Sequence, residues 1–264
     1  MAVIERGDIQ GRQGKLNVYA AGDGPGLPVL LLHADSGCAA QWREVQAALA
    51  QERRVVSFDF RGHGASQPAT NDDYSYAGRA EDLASVADTL ELEHFALVAH
   101  SGGAAVALEY ARQQPERALG LLLLDPPSDP RALPRSIKDR MLKDLAGPDS
   151  LHVQHTFYAS MAGKDAAVRE RVLEDCARVT ARARLGVARA LAQWDPEPSL
   201  NAWRGPLQII ASANNDEGHA LHDLRPEVPR TIVPDIGHWL QLEDPALVLE
   251  KARAFVIALE HLRG

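Results

Sequence analysis

Cysteine, long apolar segments and clusters of basic residues are scarce or absent in this sequence of 264 residues. Its two cysteines, Cys38 and Cys176, are far apart and lack the spacing of metal ligands, so we expect two buried free thiols. The N-terminal segment MAVIERGDIQGRQGK lacks the apolar core of a signal peptide, and no apolar run approaches the roughly 20 residues that span a bilayer. We therefore expect a cytoplasmic protein without a membrane partner.

Acidic and basic residues are interspersed along the chain, and the formal net charge is −8. A nucleic-acid-binding protein would show a basic stripe, so this charge pattern disfavours a nucleic-acid partner. The hydrophobic fraction of 45% is ordinary for a soluble globular protein, and the chain is long enough for a substantial core.

Short apolar runs alternate with stretches of helical character. Their continuous apolar composition is typical of strands buried on both faces. The runs are Leu27–His33, Arg54–Phe60, Phe95–His100, Leu119–Asp125, Leu207–Ser212 and Thr231–Asp235. Helix-forming segments follow the first three runs, and an amphipathic helix ends the chain. The alternation predicts an α/β fold with a mostly parallel sheet and helices on both faces.

Two segments depart from that alternation. The N-terminal IERGDI and KLNVYAAG segments predict an antiparallel hairpin at the edge of the sheet. The segment from Ser128 to Ala202 is rich in Ala, Arg and Leu and has no strand-like run, which indicates an inserted helical cap. We therefore predict one domain, with a core formed by 1–127 and 203–264 and a cap at about 128–202.

Ser101 is the strongest chemical signal in the sequence. It directly follows an apolar strand and precedes a helix, and it is flanked by Ala99, Gly102 and Gly103. A nucleophile elbow needs this strand–turn–helix context and small neighbours, because the sharp turn strains the backbone of the nucleophile. The alternative is a Ser-Gly-Gly turn that caps an ordinary helix.

Four segments together resemble the α/β-hydrolase superfamily over nearly the whole chain. LLLHADSG resembles its oxyanion loop, DFRGHGASQP a structural turn, AHSGGA the nucleophile elbow, and IGHWLQLEDP the histidine loop before the last helix. The resemblance implies the α/β-hydrolase fold, in the branch of serine esterases and lactonases that carry a helical cap.

A serine hydroxyl needs a general base, and His238 in the histidine loop follows Ser101 in the chain order of this fold. Two aspartates compete for the third position, where the carboxylate would hold His238 in the required tautomer. Asp216 matches the commonest acid position in the family, and Asp125 sits where some relatives place the acid instead. Glu217 and Asp223 are further candidates.

The oxyanion hole is expected to use the backbone N–H of Gly102 and a second N–H from the loop after His33. By resemblance the second donor belongs to Ala34 or Asp35, although Ala34 replaces the usual glycine. Either Asp35 or Ser36 turns away to cap the helix that begins near Cys38, or Asp35 binds a hydroxyl or amide of the substrate.

For the remaining histidines and aromatic residues we expect supporting roles and no part in the chemistry. His100 lies within the elbow and is expected to shape the site, and Trp239 is expected to pack beside it. His152 with His155, and His219 with His222, have a spacing of three residues without a third ligand nearby, so we expect no metal.

These features predict a serine hydrolase without a cofactor, which cleaves an acyl bond of a small to medium apolar substrate through an acyl-enzyme. Esters, lactones and thioesters fit this mechanism. Relatives with the same triad also cleave carbon–carbon bonds or form peracids, and some members of the fold bind ligands without catalysis. The sequence carries no indication of the oligomeric state.

Overall fold

A central sheet and its flanking helices account for most of residues 3–215 and 219–262, the part of the chain that the computed structural model describes. The strands are Glu5–Gln10 (β1), Lys15–Leu32 (β2), Arg53–Phe58 (β3), Phe95–His100 (β4), Ala118–Leu124 (β5), Leu207–Ser212 (β6) and Arg230–Val233 (β7). The α-helices are Arg43–Leu49 (α1), Tyr76–Thr89 (α2), Gly102–Gln113 (α3), Arg135–Ala146 (α4), Ser150–Met161 (α5), Ala166–Ala177 (α6), Ala181–Gln193 (α7), Glu197–Ala202 (α8), Leu240–Glu243 (α9) and Pro245–His261 (α10).

The sheet has the strand order β1-β2-β4-β5-β6-β7, and β3 also pairs with β2. Strands β1 and β3 run antiparallel to β2, whereas β2, β4, β5, β6 and β7 are mutually parallel. The predicted mostly parallel α/β fold is confirmed. Because β4 and β5 are neighbours, the residues that follow their carboxyl ends meet at one edge of the sheet.

Strand β2 differs from the sequence prediction, which treated KLNVYAAG and LPVLLLH as separate elements. The structure joins them in one strand of 18 residues that pairs with β1, β3 and β4. The pairing register with β3 shifts between Ala21 and Pro25. Pro25 has no N–H that could donate a hydrogen bond to β3, so the register shifts at a position where regular pairing is impossible.

Strand β4 shows why the apolar runs do not alternate with polar residues. Phe95, Leu97 and Ala99 belong to a core cluster with α2 and α3, whereas Ala96 and Val98 face the opposite cluster with α1 and α10. Successive side chains of a strand point to opposite faces, so a strand covered on both sides is apolar throughout.

Five helices, α4 to α8, lie between β5 and β6. Helix α8 packs against α3, where Ser199 Oγ donates a hydrogen bond of 2.7 Å to Glu109 Oε1. We refer to helices α4 to α7 as the cap helices; among them, α5 contacts the loops that follow β2 and β7. A cluster of buried residues joins α5 and α6 to Trp239 of the core and contains Tyr158, Val168, Val172 and Cys176.

Both cysteines are buried and free, which confirms the sequence prediction. Burial, with nearby acidic groups, raises the pKa of Cys38 to about 12, and burial raises that of Cys176 to about 12. Among the described helices, none is both long and apolar enough to cross a membrane.

Candidate active site

Ser101 stands on a strained turn between β4 and α3. Its backbone has φ +50° and ψ −123°, a conformation that residues other than glycine seldom adopt, and its N–H donates to the Leu124 carbonyl at 2.9 Å. A Cβ on Gly103 would lie 2.6 Å from the His33 carbonyl oxygen and 2.8 Å from that of Leu32. The glycine therefore lets α3 start directly against β2, so that the turn holds Ser101 at the edge of the sheet.

His238 lines the same cavity as Ser101 and contacts Asp125. Its Nδ1 is 2.9 Å from Asp125 Oδ2, and both side chains are buried. The carboxylate also accepts 2.6 Å and 2.8 Å hydrogen bonds from the backbone N–H and the hydroxyl of Ser212. Three donors thus fix Asp125 directly after β5. With Nδ1–H given to the carboxylate, the lone pair of His238 is on Nε2.

The structure brings together Ser101, His238 and Asp125, the second of the two acids that the sequence offered. Asp216, the first candidate, lies outside the described residues, as does Glu217. Asp223 is exposed, on a short 3₁₀ turn, and lies near His222 instead. The signal that favours Asp125 is its place at the end of β5, the strand next to β4.

His100 supports His238 through the backbone. Its Nε2 is 2.8 Å from the His238 carbonyl oxygen, so Nε2 carries the proton, and Nδ1 accepts a 3.0 Å hydrogen bond from Gln241 Nε2. Burial, with the neighbouring His238, lowers the pKa of His100 well below its usual value, which keeps this tautomer neutral. Trp239 is almost fully buried, and its ring lies 5.0 Å from that of His238. His100 and Trp239 thus both contact His238 directly.

His33 shapes the loop that follows β2. Its Nε2 accepts a 2.9 Å hydrogen bond from the Phe60 N–H, so Nδ1 carries the proton and donates to the Ala34 carbonyl at 2.7 Å. The same carbonyl accepts the N–H of Gly37 at 3.0 Å. Burial lowers the pKa of His33 well below its usual value, which maintains the neutral ring that this pattern requires. The turn brings Asp35 to the start of α3.

Asp35 does not cap the helical turn that begins near Cys38. The Ala39 N–H at that position donates 2.7 Å to Asp59, and Ser36 Oγ accepts from Gln154 Nε2 at 2.7 Å. The predicted cap by Asp35 or Ser36 is therefore wrong, because the Asp59 carboxylate at the end of β3 reaches this N–H first. A Cβ on Gly102 would lie 2.3–2.5 Å from the Asp35 carboxyl atoms, so the carboxyl group rests on the first residue of α3.

Two charged residues that the sequence analysis did not single out hold the loops in place. Arg79 Nη1 donates a 2.6 Å hydrogen bond to Asp35 Oδ1, and the Tyr76 hydroxyl donates to Oδ2 at 3.0 Å. The Glu243 carboxylate accepts the N–H of Gly163 at 3.1 Å and that of Gly237 at 2.9 Å. Glu243 thereby ties the loop after α5 to the histidine loop.

Helix α5 contacts both loops of the site directly. The Tyr158 hydroxyl donates 2.9 Å to the Asp35 carbonyl, and Gln154 binds Ser36. At the end of the helix, the Met161 carbonyl accepts the N–H of His238 at 3.0 Å. The position of this cap helix is therefore linked to the positions of both the loop after β2 and His238.

A cavity of about 550 Å³ opens onto Ser101, His238, Asp125 and Asp35. Its other walls come from the loop after β5, from α5 and α7, and from residues that follow β6; they include Pro126, Pro127, Asp129, Leu133, Phe157, Tyr158, Met161, Leu191, Asn214 and His219. A second cavity of about 280 Å³ lies between α4, α5 and α7 and shares Asp35, Phe157, Tyr158 and Leu191 with the first. Over the described residues, no group of three His, Cys, Asp or Glu side chains could hold a metal ion.

A serine on a strand-to-helix turn, together with a histidine–aspartate pair at one edge of a parallel sheet, is the arrangement of α/β hydrolases. The family model described as "alpha/beta hydrolase fold" matches residues 28–245. This protein belongs to the α/β-hydrolase family.

Known proteins of the family resemble the chain over almost its full length. A putative carbamate hydrolase of Variovorax paradoxus is 30% identical over 249 residues, which cover 88% of this chain and 92% of that protein. Among solved structures, a thermophilic esterase from Thermogutta terrifontis has a TM-score of 0.82 at 22% identity, with 97% of this chain and 99% of that chain covered. The enol-lactonase from Burkholderia xenovorans LB400 also has a TM-score of 0.82, at 16% identity and with 96% and 100% covered.

Proposed function

We propose that this protein is a serine hydrolase that cleaves a carboxylic ester or a related acyl bond through an acyl-enzyme. The observation that carries the proposal is the 2.9 Å hydrogen bond between His238 Nδ1 and Asp125 Oδ2 beside the Ser101 cavity. It leaves the Nε2 lone pair of His238 available as a base. The esterase and lactonase activities of proteins with this fold agree with the proposed chemistry.

In the first half of the reaction, Ser101 Oγ attacks the carbonyl carbon and its proton passes to His238 Nε2. The carbonyl oxygen becomes an oxyanion, and the tetrahedral intermediate collapses as the leaving alcohol takes the proton from His238. Asp125 stabilises the imidazolium and keeps its orientation. Water then repeats the sequence: it gives a proton to His238, attacks the acyl carbon, and releases the acid as the proton returns to Ser101 Oγ.

The oxyanion is bound by backbone N–H groups. Gly102 is the first residue of α3, so its N–H has no acceptor within the helix, and the helix N-terminus favours negative charge. The second donor belongs to the loop after His33, at Ala34 or Asp35. Removal of one such donor typically lowers kcat about 10²- to 10³-fold.

The test combines covalent labelling with a series of esters. A fluorophosphonate probe followed by peptide mass spectrometry is expected to label Ser101, and p-nitrophenyl esters from acetate to octanoate are expected to be hydrolysed. Ser101→Ala should abolish both, whereas Ser85→Ala, which removes a hydroxyl of α2 outside the cavity, should abolish neither. An unlabelled Ser101 in folded protein would overturn the proposal and favour a ligand-binding member of the fold.

A further inference from the structure

The carboxylate of Asp35 occupies an unusual place, next to the proposed nucleophile and at the wall shared by both cavities. A Cβ on Gly102 would lie 2.3 Å from the carboxyl carbon of Asp35, so this carbon is within about 4 Å of the Gly102 Cα. An acyl group bound to Ser101, with its oxyanion on the Gly102 N–H, therefore lies at the part of the cavity wall that Asp35 forms.

Arg79, the cation that is paired with the Asp35 carboxylate, lies on the side away from the two cavities. Arg79 is fully buried, its guanidinium stacks 4.7 Å from the Tyr76 ring and 5.3 Å from that of Phe60, and it is not part of either cavity wall. Asp35 is the side chain of this ion pair that reaches the cavity. A ligand consequently meets the negative end of the pair.

Asp35 also keeps unused acceptor capacity. A carboxylate offers about four lone-pair positions, and the side-chain donors of Arg79 and Tyr76 take two of them. The other two carboxylates that line the larger cavity already have partners. Asp125 binds His238 and Ser212, and Asp129 is bound by Arg131. The described residues that line the larger cavity include no lysine or arginine.

We propose that Asp35 makes this enzyme selective for acyl groups that carry a hydrogen-bond donor, a hydroxyl or an ammonium group, on the carbon next to the scissile carbonyl. The selectivity rests on the proposed function. It arises because substrate binding removes the Asp35 carboxylate from water. The hydroxyl or ammonium group of the substrate then donates a hydrogen bond in place of the lost water. A methyl group at the same place leaves that carboxylate desolvated, and a carboxylate there is repelled.

The test uses four phenyl esters of propionic acid that differ in the group at carbon 2: methyl, hydroxyl, ammonium or carboxylate. Each kcat/KM is divided by the rate constant for hydroxide-catalysed hydrolysis of the same ester, which removes the electronic effect of the substituent. The wild-type protein should prefer the hydroxyl and ammonium esters to the methyl ester by about 10- to 100-fold, and it should discriminate against the carboxylate ester.

Asp35→Asn keeps the shape of the side chain and removes its charge, so the preference for the hydroxyl and ammonium esters should fall to about threefold or less. Asp82→Asn is the matched control, because Asp82 is buried on α2, is paired with Arg61, and lies outside both cavities. It should retain the wild-type preference. Circular dichroism and fluorophosphonate labelling of Ser101 establish that each variant is folded.

Two results would overturn the selectivity: the absence of a wild-type preference for the hydroxyl and ammonium esters over the methyl ester, or an unchanged preference in Asp35→Asn. The first needs no variant and therefore does not depend on whether Asp35→Asn folds. If the methyl ester is hydrolysed by Ser101 without preference among the four, the selectivity alone fails. If none of the four esters reacts and Ser101 is not labelled, the proposed function fails.

Discussion

Asp125 and His238, 113 residues apart in the chain, meet through a 2.9 Å hydrogen bond at the carboxyl edge of the sheet. The two Ser212 donors hold the Asp125 carboxylate in one orientation, and the Met161 and His100 contacts hold the histidine backbone. The histidine is therefore fixed on both sides, at its ring and at its peptide groups.

We expect Asp125→Asn to lower kcat for ester hydrolysis by about 10³- to 10⁴-fold, because an amide no longer selects the tautomer with the proton on Nδ1. KM should change much less. Steady-state kinetics on p-nitrophenyl butyrate measure both constants. Asp216→Asn tests the other acid, and a larger loss in that variant than in Asp125→Asn would contradict the assignment.

Glu243→Gln should lower kcat by about tenfold and destabilise the loop after α5. The Gly163 and Gly237 N–H groups bind different oxygens of the carboxylate. In the neutral amide an NH2 group, which cannot accept, replaces one of these oxygens, so one N–H loses its partner and His238 loses part of its support. Limited proteolysis measures the stability of the loop after α5, and steady-state kinetics measure the effect on kcat through His238. Glu250→Gln on the surface of α10 is the control; equal effects of both variants would refute a specific role for Glu243.

The buried His63 should make the protein less stable in mild acid. Burial, and then the nearby Arg79 cation, lowers the pKa of His63 from 6.5 to about 4. Between these values the unfolded chain binds a proton that the native state does not bind, so the free energy of unfolding falls as the pH falls. From pH 6.5 to 5 the contribution is about 2 kcal/mol.

Urea unfolding at pH 6.5 and 5 measures this contribution by comparison of the wild type with His63→Gln. His33 and His100 act in the same direction, so the difference between the two proteins isolates His63. His152→Gln, an exposed position, should follow the wild type. Identical losses of stability in the wild type and His63→Gln would show that His63 is protonated in the native state.

The second cavity should set the longest acyl chain that the enzyme accepts. We expect Ala188→Leu on α7, which adds bulk inside the 280 Å³ cavity, to lower kcat/KM for the octanoate ester by about tenfold and to leave the acetate ester nearly unchanged. Loss of two buried methylenes at about 0.8 kcal/mol each gives that factor. Ala190→Leu, on the same helix but outside the cavity wall, is the control. A uniform loss across the ester series would place the acyl chain elsewhere.

The motifs of the site could be read from the sequence because each is local. The elbow at Ser101 needs a strand, a turn and a helix in succession, and all three are visible within about fifteen residues. The same holds for the histidine loop before α10. The fold class followed from apolar runs that have no polar face.

The acid and the supporting charges could not be read in this way. Which aspartate meets His238 depends on where two distant loops lie at the sheet edge, a tertiary property that spacing alone does not determine. Arg79 and Glu243 appear as ordinary charged residues of helices α2 and α9. Their partners, Asp35 and Gly163, are 44 and 80 residues away, and no periodic pattern links them.

The contacts of α5 also decide which part of the cap can be exchanged. Helix α4 has a single buried residue, Leu145, yet it provides much of the wall of the second cavity. Replacement of α4 by the corresponding helix of another family member would alter the room in the second cavity without touching the hydrogen bonds that hold the loop after β2 and the histidine loop. An exchange of α5 would disturb the surroundings of Ser101 and His238 and the cavity wall at once, so a library built to broaden the substrate range should vary α4.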